Sequence, residues 1–364
     1  MLKNYLTVAL RAFRRGRLYA FVNVFGLALG MTTCALIFLL VYHEWSFDRF
    51  HEDVHDIYRV YLEYEEPDGG LGYQAMMTPE FTPAFREAFP GIDAATRLVS
   101  NEIDFETGGE QYRKMGAEID PDFFGIFTFD VLAGDAAAAI EDPSKMVLTA
   151  ETAVSMFGSG PGTWQDALGE VITISNGDVS VDFTVGAVMQ DFPNNSSISF
   201  DVAFSFENYD PIRLGGNNWG GRTSTYVRLS DTATEAGLES AFPSYMETAF
   251  GEYIESMQSA SYIVEGPPTE VAALRLQPLT ELHSDVDVWL PYEASAHNPM
   301  YSWILLGIGT LILLIACINF MTLSVGRSTS RAREVGVRKV LGAFRSQIMR
   351  QYWGESFVTA GMAL

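Results

Sequence analysis

One short motif in this chain has residue types that could bind a catalytic metal. The run His51-Glu52-Asp53-Val54-His55 fits the pattern H-E-x-x-H. In metalloproteases this pattern places two histidines on one helix face around zinc, with the glutamate, here Glu52, as general base. No long amphipathic helix surrounds it in this chain, because a strand pattern begins at Tyr58. A zinc peptidase using His51, Glu52 and His55 is one hypothesis. The other hypothesis is a polar turn next to the membrane, with the aromatic residues Trp45, Phe47 and Phe50 at the interface, and the context favours it.

Asp285 and Asp287 form a carboxylate pair, for which the alternatives are a calcium site and a solvated loop. The chain lacks the dense run of aspartates that a calcium loop contains, which favours the solvated loop. The sequence also has no G-x-x-x-x-G-K-[ST] loop for nucleotide phosphates and no G-x-S-x-G nucleophile turn. We therefore predict no enzymatic activity, no directly bound cofactor and no metal.

Two uncharged apolar runs, residues 21–42 and 303–325, indicate membrane helices. Each reaches the roughly 20 residues that cross a bilayer. The first exceeds the roughly 7–15 apolar residues of a secretory signal, and no small-x-small cleavage site follows it. Both cysteines, Cys34 and Cys317, fall inside these runs, so the segment between them has no disulfides.

The distribution of charge predicts the topology. The chain has a net charge of −23, yet residues 43–300 alone hold 11 Lys/Arg and 44 Asp/Glu, a net charge of −33. Both ends are basic, and cytoplasmic loops carry an excess of Lys and Arg. The amino terminus is therefore predicted in the cytoplasm, and residues 43–300 in the periplasm. The acidic segment would repel phosphate, which excludes nucleic acid as its partner.

Short strand and helix patterns alternate within residues 43–300 and predict a mixed α+β domain. Residues 58–64 alternate as a strand, and Phe81, Phe85 and Phe89 share one helix face. Asn176-Gly177 predicts a hairpin turn. The remaining predictions are a helix over 149–157 closed by Gly158, a longer helix over 234–250, a strand over 273–279, and a Gly/Pro/Asn-rich boundary between two lobes at 211–221.

A basic segment punctuated by glycines follows the second apolar run. It contains Arg333-Glu334-Val335-Gly336-Val337-Arg338-Lys339-Val340-Leu341-Gly342-Ala343. Anchoring to anionic lipid would need only the basic residues. Glu334, the two glycines and a second helix pattern over 344–353 favour a helix pair that docks on a partner. Gly342 is predicted to close the first helix.

This segment is similar to the E-V/I-G-[IV]-R-K-x-[LV]-G-A run of the permease subunits of MacB/FtsX-like ABC transporters. Residues 315–323 resemble the I-A-x-x-N-x-x-x-L run of that family's second span, and residues 47–60 resemble its F-D-x-F-H…I-Y-R-V run. Further landmarks of its exported domain are matched by residues 123–127, 132–135, 147–149 with Ala153, 157–158, and 277–279 with His283.

The resemblance implies a permease that relays ATP-driven motion to an extracytoplasmic domain acting on lipoprotein, peptide or drug-like cargo. It implies an ABC-type ATPase partner that binds ATP and Mg²⁺, a dimer or fused pseudo-dimer, contact with membrane lipid, and a periplasmic partner or cargo. The residues expected to contact the ATPase are Arg333, Glu334, Gly336, Arg338, Lys339 and Gly342. A membrane-anchored extracytoplasmic sensor is the alternative.

The predicted organisation is α+β with transmembrane helices flanking a large extracytoplasmic domain in the inner membrane. Its parts are a cytoplasmic amphipathic helix over 1–20, a span over 21–42, the extracytoplasmic domain over 43–300, a second span over 301–325, the coupling segment over 326–353, and the start of a third span over 354–364. We expect the chain to be the amino-terminal part of a longer protein.

Overall fold

The computed structural model describes residues 17–158, 164–176, 179–208, 223–288, 296–342 and 344–363. Its contacts divide the chain into two units. The central unit comprises residues 46–298, and the terminal unit comprises the residues up to 45 and from 299 onward. Three expectations lie outside the described residues: residues 1–16 of the amphipathic helix, the lobe boundary at 211–221, and Gly177 of the hairpin turn.

The central unit is built on one mixed sheet, in which the described residues form twelve strands. In chain order they are β1 Ile57–Glu65, β2 Leu71–Gln74, β3 Met76–Met77, β4 Ile92–Thr107, β5 Glu110–Ile119, β6 Val131–Gly134, β7 Lys145–Thr149, β8 Val171–Asn176, β9 Val179–Met189, β10 Val202–Ser205, β11 Thr223–Leu229 and β12 Ala272–Pro278.

The sheet has the order β12-β1-β11-β4-β5-β10-β7-β9-β6. Outside this order, β2 pairs with β1, β3 pairs with β11, and β8 pairs with both β4 and β9. The β5–β10 and β7–β9 pairs are parallel and the others are antiparallel. The hairpin predicted around Asn176 is confirmed, because Asn176 pairs with Val179 in the β8–β9 ladder.

The described residues of the terminal unit form three long helices, and shorter helices cover the sheet of the central unit. The α-helices in chain order are α1 Arg17–Glu44, α2 Phe81–Ala88, α3 Phe123–Ile126, α4 Ala136–Glu141, α5 Ala150–Phe157, α6 Glu235–Glu239, α7 Phe242–Tyr245, α8 Gly251–Ser259, α9 Pro268–Val271, α10 Pro299–Val340 and α11 Arg345–Ala363. One π-helical segment, Met246–Phe250, joins α7 to α8, and short 3-10 helices lie at Val54–Asp56, Trp164–Ala167, Phe206–Asn208 and Leu279–Ser284.

Helices α2 and α5 form where their sequence signals predicted. Phe81, Phe85 and Phe89 are buried together under the aromatic side chains of α7. The α5 amino terminus is capped by the hydroxyl of Thr149, which accepts a hydrogen bond from the Thr152 amide. Gly158 ends α5 with a φ of 70°, a conformation that favours glycine.

The long helix predicted over 234–250 is instead broken. Helix α6 ends at Glu239, α7 begins at Phe242, and residues 246–250 are π-helical. Pro243 occupies the first turn of α7, where its missing N–H costs no hydrogen bond. Within a continuous helix the same proline would remove one backbone bond, so the helix restarts there.

In the terminal unit, α1 and α10 pack as an antiparallel pair through a seam of small residues. A Cβ atom at Gly30 would lie only 2.6 Å from the Cβ of Ala316. A Cβ at Gly26 would lie 3.3 Å from the Asn319 amide nitrogen. Small residues allow two helix backbones to approach this closely.

Both predicted apolar runs lie in this helix pair. The stretches Phe21–Glu44 and Pro299–Gly326 are long and apolar enough to cross a membrane, judged by length and composition. The rings of Trp45 and Trp303 meet at 5.3 Å between centroids, at the end of the pair where α1 ends and α10 begins. Aromatic residues at one level are typical of a membrane–water interface.

Candidate functional site

The predicted coupling segment is the end of α10 rather than a separate short helix. Helix α10 runs without a break from Pro299 to Val340, a length of roughly 63 Å at 1.5 Å per residue. Five of the predicted contact residues lie on its last two turns. They are Arg333, Glu334, Gly336, Arg338 and Lys339.

The sixth residue, Gly342, lies in the turn that follows. Its φ is 92°, and its amide donates to the Lys339 carbonyl at 3.1 Å. Gly342 therefore ends the helix as predicted, in a conformation that side chains rarely adopt. The next helix, α11, begins at Arg345 and continues to Ala363, so the predicted boundary at 353/354 falls inside one helix.

The last residue of α10 and the turn after it expose apolar side chains, which the sequence analysis does not identify. Val340, Leu341 and Phe344 are 88%, 81% and 72% exposed. We call these three residues the apolar turn. Three neighbouring large apolar side chains at a helix end are unusual on a surface that faces only water. The sequence shows that these apolar residues lie next to basic ones. It does not show that they are exposed, because their exposure depends on the turn at Gly342.

The second feature is the place where the chain enters and leaves the central unit. We call residues 46–56 the N-segment and the described residues 279–288 and 296–298 the C-segment. The Phe47 and His283 rings stack with centroids 3.4 Å apart and planes within 2°. The amide of His297 donates to the carbonyl of His283 at 2.7 Å. The two segments are thus joined to each other by ring stacking, and the C-segment is closed on itself by a backbone bond.

The N-segment is also tied to the loop around Asn195. The Asp48 amide donates to the Asn195 carbonyl at 2.9 Å, and an Asp48 carboxylate oxygen accepts from the Ser197 amide at 2.7 Å. The Asn195 side-chain amide donates to the carbonyl and hydroxyl of Ser46. Asp48 has a φ of 57°, a left-handed conformation that aspartate tolerates better than most residues. Phe47, which was expected at a membrane interface, is instead buried.

The H-E-x-x-H residues do not lie on one α-helix. Residues 49–53 form turns, and Asp53 has a φ of 52°. His51 is buried beside Phe127 and Phe129, whereas Glu52 and His55 are exposed. Within the described residues, no group of three or more His, Cys, Asp or Glu side chains is arranged to hold a metal ion. This geometry does not support the zinc peptidase hypothesis.

The environment of His51 explains its burial. Its Nδ1 accepts a hydrogen bond from the Thr128 amide at 3.1 Å, so that nitrogen carries no proton. Burial lowers the pKa of His51 to about 4, because a charged imidazole loses its hydration there. His51 is therefore a neutral acceptor that connects the N-segment to the residues following α3.

The Asp285 carboxylate accepts hydrogen bonds from other groups of the protein and does not lie in a solvated loop. One carboxylate oxygen accepts from the Gln277 side-chain amide at 2.8 Å, and the other accepts from the Asp287 amide at 3.0 Å. Asp285 therefore shapes the C-segment, and the Asp287 side chain takes no part in these bonds. The carboxylate pair does not resemble a calcium loop.

Comparison with protein families identifies two matching regions. The MacB-like periplasmic core domain matches residues 20–245, and the FtsX-like permease C-terminal domain matches residues 306–364. The first match covers more than half of the chain. No curated protein matches the chain significantly.

Three solved structures each resemble part of the chain. A domain of a protein described as a permease from Porphyromonas gingivalis is 21% identical, covers 64% of this chain and 92% of its own, and has a TM-score of 0.49. The periplasmic region of MacB from Actinobacillus actinomycetemcomitans is 12% identical over 62% and 89% of the two chains, with a TM-score of 0.37. The extracellular domain of the noncanonic ABC-type transporter YknZ from Gram-positive bacteria is 11% identical over 60% and 99%, with a TM-score of 0.36.

Proposed function

Because this chain belongs to the MacB/FtsX-like family of ABC transporter permeases, we propose that it couples ATP hydrolysis by a partner ATPase to motion of its own periplasmic unit. The partner subunit binds ATP and Mg²⁺, and this chain performs no catalysis itself. The cargo is a lipoprotein, a peptide or a drug-like molecule. The working assembly contains two such permeases, or one fused pair, in the inner membrane.

The observation that carries this proposal is the continuity of α10. Its roughly 63 Å exceed the ~30 Å of a bilayer hydrocarbon core, so one rigid helix serves as membrane span and coupling segment. An unbroken helix transmits displacement better than two helices joined by a loop, since its backbone hydrogen bonds must stretch before its ends move independently. The basic residues near its carboxyl end support a cytoplasmic position for that end.

The apolar turn supports a protein partner at this end. Lipid anchoring requires only the positive charges, whereas Val340, Leu341 and Phe344 add apolar area that a groove on the ATPase would bury. Glu334 and Arg338, four residues apart in α10, are proposed to orient this contact. Gly336 and Lys339 are exposed on the same two turns and complete the surface.

A pull-down of the full-length gene product in mild detergent tests the proposal. We expect an ABC ATPase to co-purify with the wild type, and Leu341→Glu, Glu334→Ala and Arg338→Ala to release it while membrane insertion is retained. Leu71→Glu, at an exposed apolar residue of the central unit, and Arg113→Ala, at an exposed arginine, are the matched controls. Loss of the ATPase from the control variants, or its retention by the three interface variants, would refute the assigned interface.

An absence of ATPase from the wild-type preparation would instead favour a membrane-anchored sensor. In that case the search would turn to ligands of the periplasmic unit. The two negative outcomes are distinguishable. If only the interface is wrong, the ATPase still co-purifies with the wild type; if the chain is a sensor, it does not.

A further inference from the structure

Strands β1 and β12 occupy a mechanically weak arrangement. They are antiparallel, and Tyr58 at the start of β1 pairs with Pro278 at the end of β12. The chain therefore enters the central unit beside the point where it leaves the sheet. Tension between the two chain ends would load the β1–β12 hydrogen bonds one after another, as in opening a zipper. Strand β12 lies at one end of the described strand order, so no further strand supports it there.

A buried arginine bridges this strand pair close to its open end. Arg59 is 0% exposed, although a charged residue in an alternating strand more often faces solvent. Its Nε donates to the Gln277 side-chain oxygen at 3.0 Å, and its Nη2 donates to the same oxygen. Arg59 and Gln277 are directly opposite each other in the strand register, one residue pair from the end.

The same arginine also holds the C-segment. Its Nη2 donates to the main-chain carbonyl of Val288, ten residues beyond the end of β12. Asp285 ties this stretch back to Gln277, as described above. Val288 is itself buried, against Ala75. The C-segment therefore folds back and is attached to Arg59 and Gln277. These two residues form the second pair that would separate if the strands opened from this end.

Burying a guanidinium group is expensive, and packed apolar residues in its place are often as stable or more stable. Simple stability therefore gives little reason for Arg59 at this position. Its hydrogen bonds are directional, however, and they join three chain segments that tension would separate. A packed apolar residue at this position would form no directional bonds to the other two segments.

We propose that Arg59, Gln277, Asp285 and Val288 form a latch that bears tension. With the latch closed, a pull on the two ends of the central unit moves the unit as a rigid body and does not open β1 from β12. This inference rests on the proposed function, which supplies the tension. Its test needs no ATPase, so the two can fail separately.

Force measurements on the full chain in bicelles test the latch. Tethers attach at Ser46→Cys and Asn298→Cys, in a background where Cys34 and Cys317 are serine. Asp285→Ala releases the C-segment from Gln277 and leaves Arg59 in place. We expect it to raise the unfolding rate at constant force roughly tenfold, as loss of one strong hydrogen bond implies. Arg59→Met should raise the rate further.

A second pulling direction separates a latch from ordinary stabilisation. Tethers at Asp68→Cys, in an exposed turn, and at Glu110→Cys, at the exposed start of β5, bypass both chain ends. There, Asp285→Ala should change the unfolding rate less than about twofold. Equal effects in both directions, or no effect from the ends, would overturn the proposal. If Arg59→Met does not fold, Asp285→Ala alone decides the result.

Discussion

The guanidinium group of Arg97 forms two hydrogen bonds with the carboxylate of Asp120 while it stacks on the ring of Phe206. The Nε of Arg97 lies 2.9 Å from Asp120 Oδ2, and its Cζ lies 3.8 Å from the ring centroid. The Arg97 amide also donates to this carboxylate at 2.7 Å. Asp120 thus receives three bonds from one residue and fixes the end of β5 against β4.

We predict that Arg97→Lys lowers the stability of the central unit by about 1–3 kcal/mol, because an ammonium group reproduces neither the planar pair nor the stacking. Arg113 is a matched control. It forms the same two-bond pair with Asp104, but its side chain is 66% exposed, against 21% for Arg97. Arg113→Lys should change stability by less than about 0.5 kcal/mol. Thermal unfolding of the full chain in detergent compares them, and equal shifts would contradict the role given to burial.

A disulfide should form between α1 and α10 in the variant Ile37→Cys/Gly309→Cys. A Cβ atom at position 309 would lie 3.7 Å from the Cβ of Ile37, within the range that disulfides need. Mild oxidation of membranes, in the background lacking Cys34 and Cys317, would be followed by mobility on a non-reducing gel. At Gly307 a Cβ would meet no atom within 4 Å, so Ile37→Cys/Gly307→Cys is the control. Cross-linking of the control pair alone would show that the helices pack in another register.

Replacement of Gly134 by alanine should strongly destabilise the edge of the sheet. Gly134 has a φ of 76°, and a Cβ there would lie 2.2 Å from the carbonyl oxygen of Gly186. The conformational cost alone is about 1 kcal/mol, and the clash adds to it. Gly125→Ala is the control, because a Cβ at that position meets no atom within 4 Å. Comparable melting temperatures for the two variants would show that β6 shifts freely.

The central unit should become less stable as the pH decreases, because His51 is protonated more readily in the unfolded chain than in the folded protein. The pKa of His51 is lowered in the folded state from its ordinary 6.5 to about 4. Between these values the unfolded state binds the extra proton, so stability is greatest above about pH 6.5 and decreases as the pH approaches 4. The loss amounts to at most about 3 kcal/mol. Other groups also titrate in this range, so the measurement needs a variant that removes only the imidazole.

His51→Asn provides that variant, because its amide oxygen can accept the Thr128 amide but does not titrate. Unfolding midpoints between pH 4 and 7 should depend less steeply on pH in His51→Asn than in the wild type. Parallel curves would show that His51 is not responsible for the dependence.

Local signals predicted much of the central unit. The alternation in β1, the hairpin around Asn176 and the cap residues of α5 act over a few residues, so their effect is visible in the sequence. Pro243 was an available signal for the break near α7. The π-helical segment that follows it has no comparable sequence signal.

The candidate sites depended on features that sequence patterns do not show. The partner of Arg59 is 218 positions away, so nothing near Arg59 indicated that it is buried. The apolar run ends at Val325, but the Arg, Lys and Glu residues that follow continue a helix readily. Helix α10 therefore extends to Val340, past Gly326 and Gly336, whose cost of about 1 kcal/mol each does not break it.

The paired chain ends make the central unit a self-contained insertion. In the terminal unit Trp45 and Trp303 lie side by side, and in the central unit Phe47 and His283 do so as well. In each unit, the two ends are therefore held together by residues of that same unit. Recombination between related genes at these two positions could exchange one central unit for another while the helix pair stays folded. On the proposed function, exchange of this unit alone would change the cargo that the permease acts on.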